Sequence, residues 1–574
     1  MHDLVIRGAT IVDGTGEPQF RADVAVDDGV FSAVGKDVGP GAREIDAEGL
    51  LLTPGWVDIH THYDGQATWD PFLTPSSWHG VTTAVFGNCS VGFAPVRPGT
   101  EPFLINLMEG VEDIPETVLA EGIDFRWESF SDYLSVLEET PRIMDIGAQV
   151  PHGALRFYVM GDRGADHREA PTGEEITEMG KLLEEALDDG ALGFTTARTT
   201  KHKAADGRYT PGLTAMEPEL AGLAEAMKRA GKGVIEVNSD LGEGEFALLR
   251  QAGEIAERPV SFLLVQTDSE PGRWRETLDN VAAAVDDGLE FTAQASVRAI
   301  GVLMSLNGTV HPFFNHPDWP MLEALSPRAR IERIKTGDDL RRRLVEEIPD
   351  DKHTAWVREA LQRTFEIEYP VNYEPDATTS IAARAEAMGK DAIELALELM
   401  LEGDEGSLLL HPFENYNGGD LEVVREMLTD ANTVCGVADA GAHVGLICDA
   451  GAPTYLITHW ARDRTRGDKL PLEFLVRKQT SDTARTYGLL DRGVVAEGYK
   501  ADFNLIDFDG LNVHKPEMVY DLPAGGRRII QKADGYRHTF VSGVEVMRDG
   551  EATGALPGRL VRGAQDLPRA LAAE

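Results

Sequence analysis

The sequence predicts an α/β protein: a (β/α)8 TIM-like barrel, a small β-sandwich built from both chain ends, and a mostly helical insertion. Three observations carry this reading. Both ends hold short strands joined by Gly-rich turns, the middle alternates helical and strand patterns, and one charged helical stretch breaks the alternation. Repeated helix-then-strand units make a parallel sheet, and this many close it into a barrel.

The elements follow in order. Asp3–Arg7, Ala9–Val12, Asp23–Val26 and Phe31–Val34 read as strands, separated by Asp-Gly and Gly-Thr-Gly turn signals. The pattern returns at Gly498–Ile506, His538–Val541 and Val544–Arg548. Chain termini often lie close together, so residues 1–54 and 487–562 are expected to share the sandwich, with the barrel over 55–486. Thr82–Phe86 is an apolar strand. Glu174–Asp189 reads as a helix opened by a Thr172–Glu175 capping box, running into Ala191–Thr195. Glu217–Ala230 feeds Gly233–Val237, Gln251–Ala256 feeds Val260–Val265, and Trp274–Asp287 feeds Glu290–Ala293. From about 312 to 401 the chain is charged and helical, with Arg328–Arg343 and Ile381–Leu401 as helices. It reads as an insertion over the barrel's top face. Residues 563–574 read as a tail.

A chain of 574 residues is long for one core, so more than one structural unit is expected. Its 42% hydrophobic and 26% charged content is ordinary for a globular protein. A net charge of −43 argues against nucleic acid and anionic membranes as partners. An anionic substrate would need a local positive site. The three cysteines, Cys89, Cys435 and Cys448, describe no disulfide framework. No signal peptide and no bilayer-length apolar run is visible, so a cytoplasmic location is expected. A homo-oligomer is compatible with the size, but no interface can be read.

The most informative run is Leu51 to His62, where an apolar strand ends in His60-Thr61-His62. Alternate strand residues share a face, so the two imidazoles project together and can hold one divalent ion. Asp58 lies two residues before the first histidine, and a second run of site candidates ends in Cys89.

These residues resemble a known family. Leu4 to Gly16, Thr53 to His62 and Gly498 to Asp502 are similar to amidohydrolase-superfamily enzymes. Gly87 to Pro95, Leu490 to Gly493 and Thr553 to Arg559 resemble the D-aminoacylase, or N-acyl-D-amino-acid deacylase, branch. The resemblance implies a metal-dependent barrel that hydrolyses amide bonds. It implies that His60, His62, Cys89 and Asp439 are metal ligands, and that Asp439 also moves the proton. Two histidine ligands of the branch are not matched: by position Asn238 and Leu264 stand there, with Gln266 or Asp268 as neighbours that could compensate. His152, His202 and His443 also lie near strand ends.

A bound zinc ion lowers the pKa of its water towards about 7 and polarises a carbonyl. A neighbouring carboxylate can carry the proton from water to the leaving nitrogen. One or two divalent ions, zinc first, are therefore expected, with Asp439 as base and then acid. Arg198 and, second, Arg298 are candidates to pair with a substrate carboxylate; Tyr209 and His443 are further substrate-side candidates, and His459 reads as part of a helix face. The expected activity is hydrolysis of a linear amide, an N-acyl amino acid of D configuration. The alternatives are another N-acyl, cyclic or xenobiotic amide, and a metal-free barrel without catalysis.

Overall fold

The computed structural model describes residues 1–347 and 349–568. The part of the expected tail at 569–574 lies outside the described residues.

The two chain ends meet in one nine-stranded sheet. Strand Leu51–Pro54 pairs antiparallel with Phe503–Ile506, placing residues more than 440 positions apart side by side. Asp3–Arg7 and Ala9–Val12 are not separate strands. One strand, His2–Ile11, runs through both, with a register shift between Ile6 and Ala9 where Gly8 has φ +69°. Such a bulge bends a strand without ending it.

The middle of the chain forms parallel strands. Trp56–Asp58, Val81–Phe86 and Asp145–Ala148 pair in that order. Val150–Pro151, Gly193–Arg198, Val234–Ser239, Val260–Leu264, Phe291–Ala295 and Thr433–Cys435 follow, also parallel. Only Gln149 separates the two groups. The succession ends where it began, because Thr61 and Ala440 form a parallel bridge. The strands are buried along their length, as parallel strands flanked by helices must be.

Helix Gly173–Asp188 shows how local sequence starts an element. The Thr172 side chain accepts from Glu175 N, and the Glu175 carboxylate accepts from Thr172 N at 2.7 Å. Its buried face is Met179, Leu183, Ala186 and Leu187. Such a cap contributes about 0.5–2 kcal/mol.

Between 312 and 401 helices dominate, and they bury a separate core around Phe313, Ile331, Leu340, Ile393 and Met400. Arg328–Arg343 is two helices, Pro327–Lys335 and Asp338–Glu346, interrupted at Thr336-Gly337. Ile381–Leu401 is likewise Ile381–Met388 and Ala392–Met400, because Gly389 takes a left-handed conformation (φ +68°) that ends the first. An antiparallel ribbon, Ile300–Met304 with Leu409–Glu414, flanks this segment and carries Phe413 and Glu414 towards the strand ends.

Candidate metal centre

His60 and His62 follow the strand Trp56–Asp58 and are fully buried. Backbone bonds lock them to the segment that follows the last parallel strand: His62 N donates to Ala440 O at 2.8 Å, and Asp439 N donates to His60 O at 3.1 Å. Thr61 ties the same segment to the next strand, through its hydroxyl on Val85 O at 2.9 Å. Gly441 has φ +91°, and a Cβ there would stand 2.9 Å from His62 O, so only glycine fits this crossing.

The site backbone is unusual. Cys89, Val437, Asp439 and His443 all have positive φ, between 46° and 57°. L-residues avoid this region, and a β-branched valine avoids it most. Such conformations persist where surrounding structure holds them, and they cluster at functional sites.

The side chains converge. Ligand atoms of His60, His62 and Cys89 lie within 4.8 Å of one another. His60 Nε2 is 3.4 Å from Cys89 Sγ and 3.3 Å from Asp439 Oδ1. His62 Nε2 is 3.7 Å from the same Asp439 oxygen. Two imidazoles, a thiol and a carboxylate are the donor types of a tetrahedral zinc site. The donor set and its spacing therefore fit a divalent ion.

Groups behind the cluster set its protonation. Gln294 Oε1 lies 3.0 Å from His60 Nδ1 and accepts from it, leaving the lone pair on Nε2, the atom that faces the cluster. Gln294 Nε2 is itself anchored on Ser261 Oγ at 3.0 Å. Burial lowers the His60 pKa to about 4, so the ring is neutral and able to ligate. His62 is the opposite case: burial would lower its pKa, but the Glu112 and Asp439 carboxylates raise it to about 9. A metal on His62 must displace that proton. Burial would raise Asp439, but the His62 hydrogen bond and the charges of His60 and His443 hold it well below the usual carboxylate range. Burial and the nearby Glu236, Glu112 and Asp439 push the Cys89 thiol well up. Gln294→Leu is expected to weaken zinc binding about 10–100-fold, measured by chelator competition; unchanged affinity would remove Gln294 from this role.

Sequence reasoning did not find Glu112, Glu236 or Gln294. Glu112 ends helix Glu101–Glu112 between His62 Nδ1 at 3.4 Å and His443 Nε2 at 3.5 Å; neither pair is aligned for a hydrogen bond. Nothing local in the sequence points to it. Glu236 accepts from Cys89 N at 3.2 Å and sits two residues before Asn238, so strand alternation could have flagged it. Burial raises its pKa to about 8.

The unmatched positions resolve differently from the expectation. Asn238 does face the centre, with Nδ2 3.3 Å from Cys89 Sγ and 3.4 Å from His202 Nε2. Leu264 does not; it is buried in the main core, and Leu263 lines the cavity instead. Gln266 is engaged by Asn415 and Pro271, and Asp268 is paired with Arg363. Neither compensates. His202 is half-buried beside Asn238, with Nδ1 buried and unpartnered, and desolvation of the ring lowers its pKa to about 3.

Three substrate-side expectations are not met by the geometry. Arg198 forks onto Glu245 at 2.7 and 2.9 Å and onto Ala215 O, so its donors are spent within the fold. Arg298 is buried 3.5 Å over the Tyr373 ring, bonded to Asp449 at 2.8 Å and Cys448 O at 2.6 Å. Tyr209 packs on Lys203 and His167. None of the three lines the cavity over the metal centre, and His443 does. His152 bonds Thr196 and Glu219 inside the core, and His459 stacks on Tyr455 beside Glu374.

Donors gathered at the carboxyl ends of parallel strands, below an open cavity, define an α/β protein built to hold a metal for chemistry. The chain belongs to the amidohydrolase family, whose model matches residues 43–547. Its relatives include an N-acyl-D-aspartate deacylase of Alcaligenes xylosoxydans xylosoxydans, 28% identical, covering 99% of this chain and 96% of the relative. A D-aminoacylase from the same organism is 27% identical, over 97% of each. A crystal structure of D-aminoacylase matches with a TM-score of 0.65 at 24% identity, covering 98% of this chain and all of the other. These relatives are the branch that the sequence resembles.

Proposed function

We propose that this chain is a metal-dependent hydrolase of a linear N-acyl amide, with the metal held by His60, His62, Cys89 and Asp439. The carrying observation is the convergence of those four side chains, with three ligand atoms within 4.8 Å of one another. The relatives named N-acyl-D-aspartate deacylase, D-aminoacylase and N-acyl-D-glutamate deacylase support an N-acylated D-amino-acid skeleton as substrate. We also read the parallel succession as a (β/α)8 barrel over 55–486, with the sheet of both chain ends as a second unit.

His60, His62, Cys89 and Asp439 would hold a divalent ion, zinc by the character of the donors, which when bound would polarise the scissile carbonyl and lower the pKa of the attacking water. Asp439 takes the proton from that water and delivers it to the departing nitrogen. Its depressed pKa keeps it in the proton-accepting form. His60, fixed by Gln294, and His62 orient the centre without moving protons. One ion is expected, because Leu264 offers no donor and points into the core, and Asn238 offers only a neutral amide.

The test is zinc content. Wild-type protein is expected to carry about one zinc per chain, and Cys89→Ala to lose it. Metal retained in Cys89→Ala would remove the thiol from the ligand set. No metal in either protein would overturn the hydrolase reading.

A further inference from the structure

The cavity above the metal centre has about 370 Å³ and two unlike walls. One wall is apolar: Leu263, Val265, Ile300, Val437, Leu446 and Ile447. The other carries carboxylates, with Asp113, Asp240 and Glu414 beyond the centre. Histidines aside, Lys201 is the only cation among the described lining residues.

Lys201 is not free. Its Nζ pairs with Glu414, whose side chain is 8% exposed. Asp240 stands beside it, accepting from Thr199 Oγ1 at 2.6 Å and Thr200 N at 2.8 Å. Arg198 and Arg298 do not line the cavity and are paired with Glu245 and Asp449. Arg527 does not line the cavity: its Nη2 donates to Thr309 Oγ1 at 3.2 Å, and its charge is directed at the neighbouring Asp113. A divalent ion does not change this balance, since a thiolate and a carboxylate ligand already neutralise its charge. His62 and His443 both face Glu112.

A free amino-acid carboxylate bound here would lose water without gaining a cationic partner, and would sit near like charges. A neutral carboxamide or ester in the same place costs far less. The amine released by hydrolysis, by contrast, becomes a cation facing carboxylates.

We propose that this site selects N-acyl-D-amino-acid derivatives whose α-carboxyl is neutral, as an amide or ester, over the free acids. The inference rests on the deacylase reading. The reaction is unchanged: water cleaves the acyl C–N bond, giving the acyl carboxylate and the free amine of the aminoacyl amide. The apolar wall takes an apolar side chain, and Lys201, Phe413 and Glu414 also line a second, neighbouring cavity bordered by Trp356 and His411. A carboxyl-side extension therefore has room.

The test compares kcat/KM of the zinc-loaded enzyme for N-acetyl-D-leucinamide and N-acetyl-D-leucine. The amide is expected to win by about tenfold or more, and equal or reversed values overturn the proposal. Glu414→Gln, which frees Lys201, is expected to raise the acid-to-amide ratio of kcat/KM by about tenfold, a change that mere loosening of the fold would not produce. An unchanged ratio counts against the proposal. Should zinc-loaded enzyme hydrolyse neither compound, the deacylase reading fails. Calorimetric binding of D-leucinamide and D-leucine then decides the selectivity: tighter binding of D-leucinamide supports it, and tighter binding of D-leucine overturns it.

Discussion

Asp439→Asn is expected to lower kcat by about 10²–10⁴-fold while zinc stays bound, since the change removes proton transfer and keeps an oxygen donor. The geometry makes this prediction strong. Asp439 Oδ1 lies 3.3 Å from His60 Nε2 and 3.7 Å from His62 Nε2, and its backbone is pinned to His60 O. Asparagine is nearly isosteric and tolerates the positive φ that this position requires. A fold defect is therefore not expected to mimic the loss. Turnover of an N-acyl substrate and elemental zinc on the same preparation check it. Near-normal turnover with zinc bound would take the proton-carrying role from Asp439.

Arg492→Met is expected to destabilise the protein by about 3–5 kcal/mol, because it leaves the buried Asp145 carboxylate with Lys500 as its one cation. Arg492 donates to Asp145 at 2.8 Å and Thr83 at 3.0 Å in the parallel strands, and to Asp491 at 2.8 Å. Lys500 bridges Asp145 at 2.9 Å and Asp502 at 2.8 Å. This cluster joins the parallel strands to the sheet of the chain ends. Burial would raise Asp145 from its ordinary 3.8, but Lys500 and Arg492 bring it to about 2. A depressed carboxylate stabilises the fold above its unfolded pKa, so this contribution is present above about pH 4 and lost as pH falls to about 2. Asp502, raised by burial, acts in the opposite sense. Denaturation midpoints of wild type and variant at neutral pH decide the matter, and equal midpoints would show that the cluster contributes little.

The parts legible in the sequence were those with a local cause. Alternation along a strand put His60 and His62 on one face, and the Thr172–Glu175 box announced its helix three residues ahead. What was lost depended on register or on distant partners. Leu264 points into the core while Leu263 and Val265 on either side of it line the cavity, because a step of one residue along a strand turns a side chain to the other face. Arg198 and Arg298 looked free because Glu245 and Asp449, which occupy them, lie 47 and 151 residues away. Glu112 reaches the site from a helix end, and no periodicity marks a helix end as part of a strand-end cluster. Gly337 and Gly389 stopped helices that the apolar spacing alone would have continued.

The bond from His62 N to Ala440 O has a consequence for how the chain is made. The first two ligands leave the ribosome several hundred residues before the strand that completes their site. At about 5–20 residues per second, that interval is on the order of tens of seconds. The outer sheet waits longer still, since Leu51–Pro54 needs Phe503–Ile506 beside it. For that time an apolar strand followed by two metal-seeking imidazoles has Val81–Phe86 on one side and no neighbour on the other. A nascent chain stalled before residue 433 would therefore present an open strand edge and three of the four proposed ligands, without Asp439 to close the site.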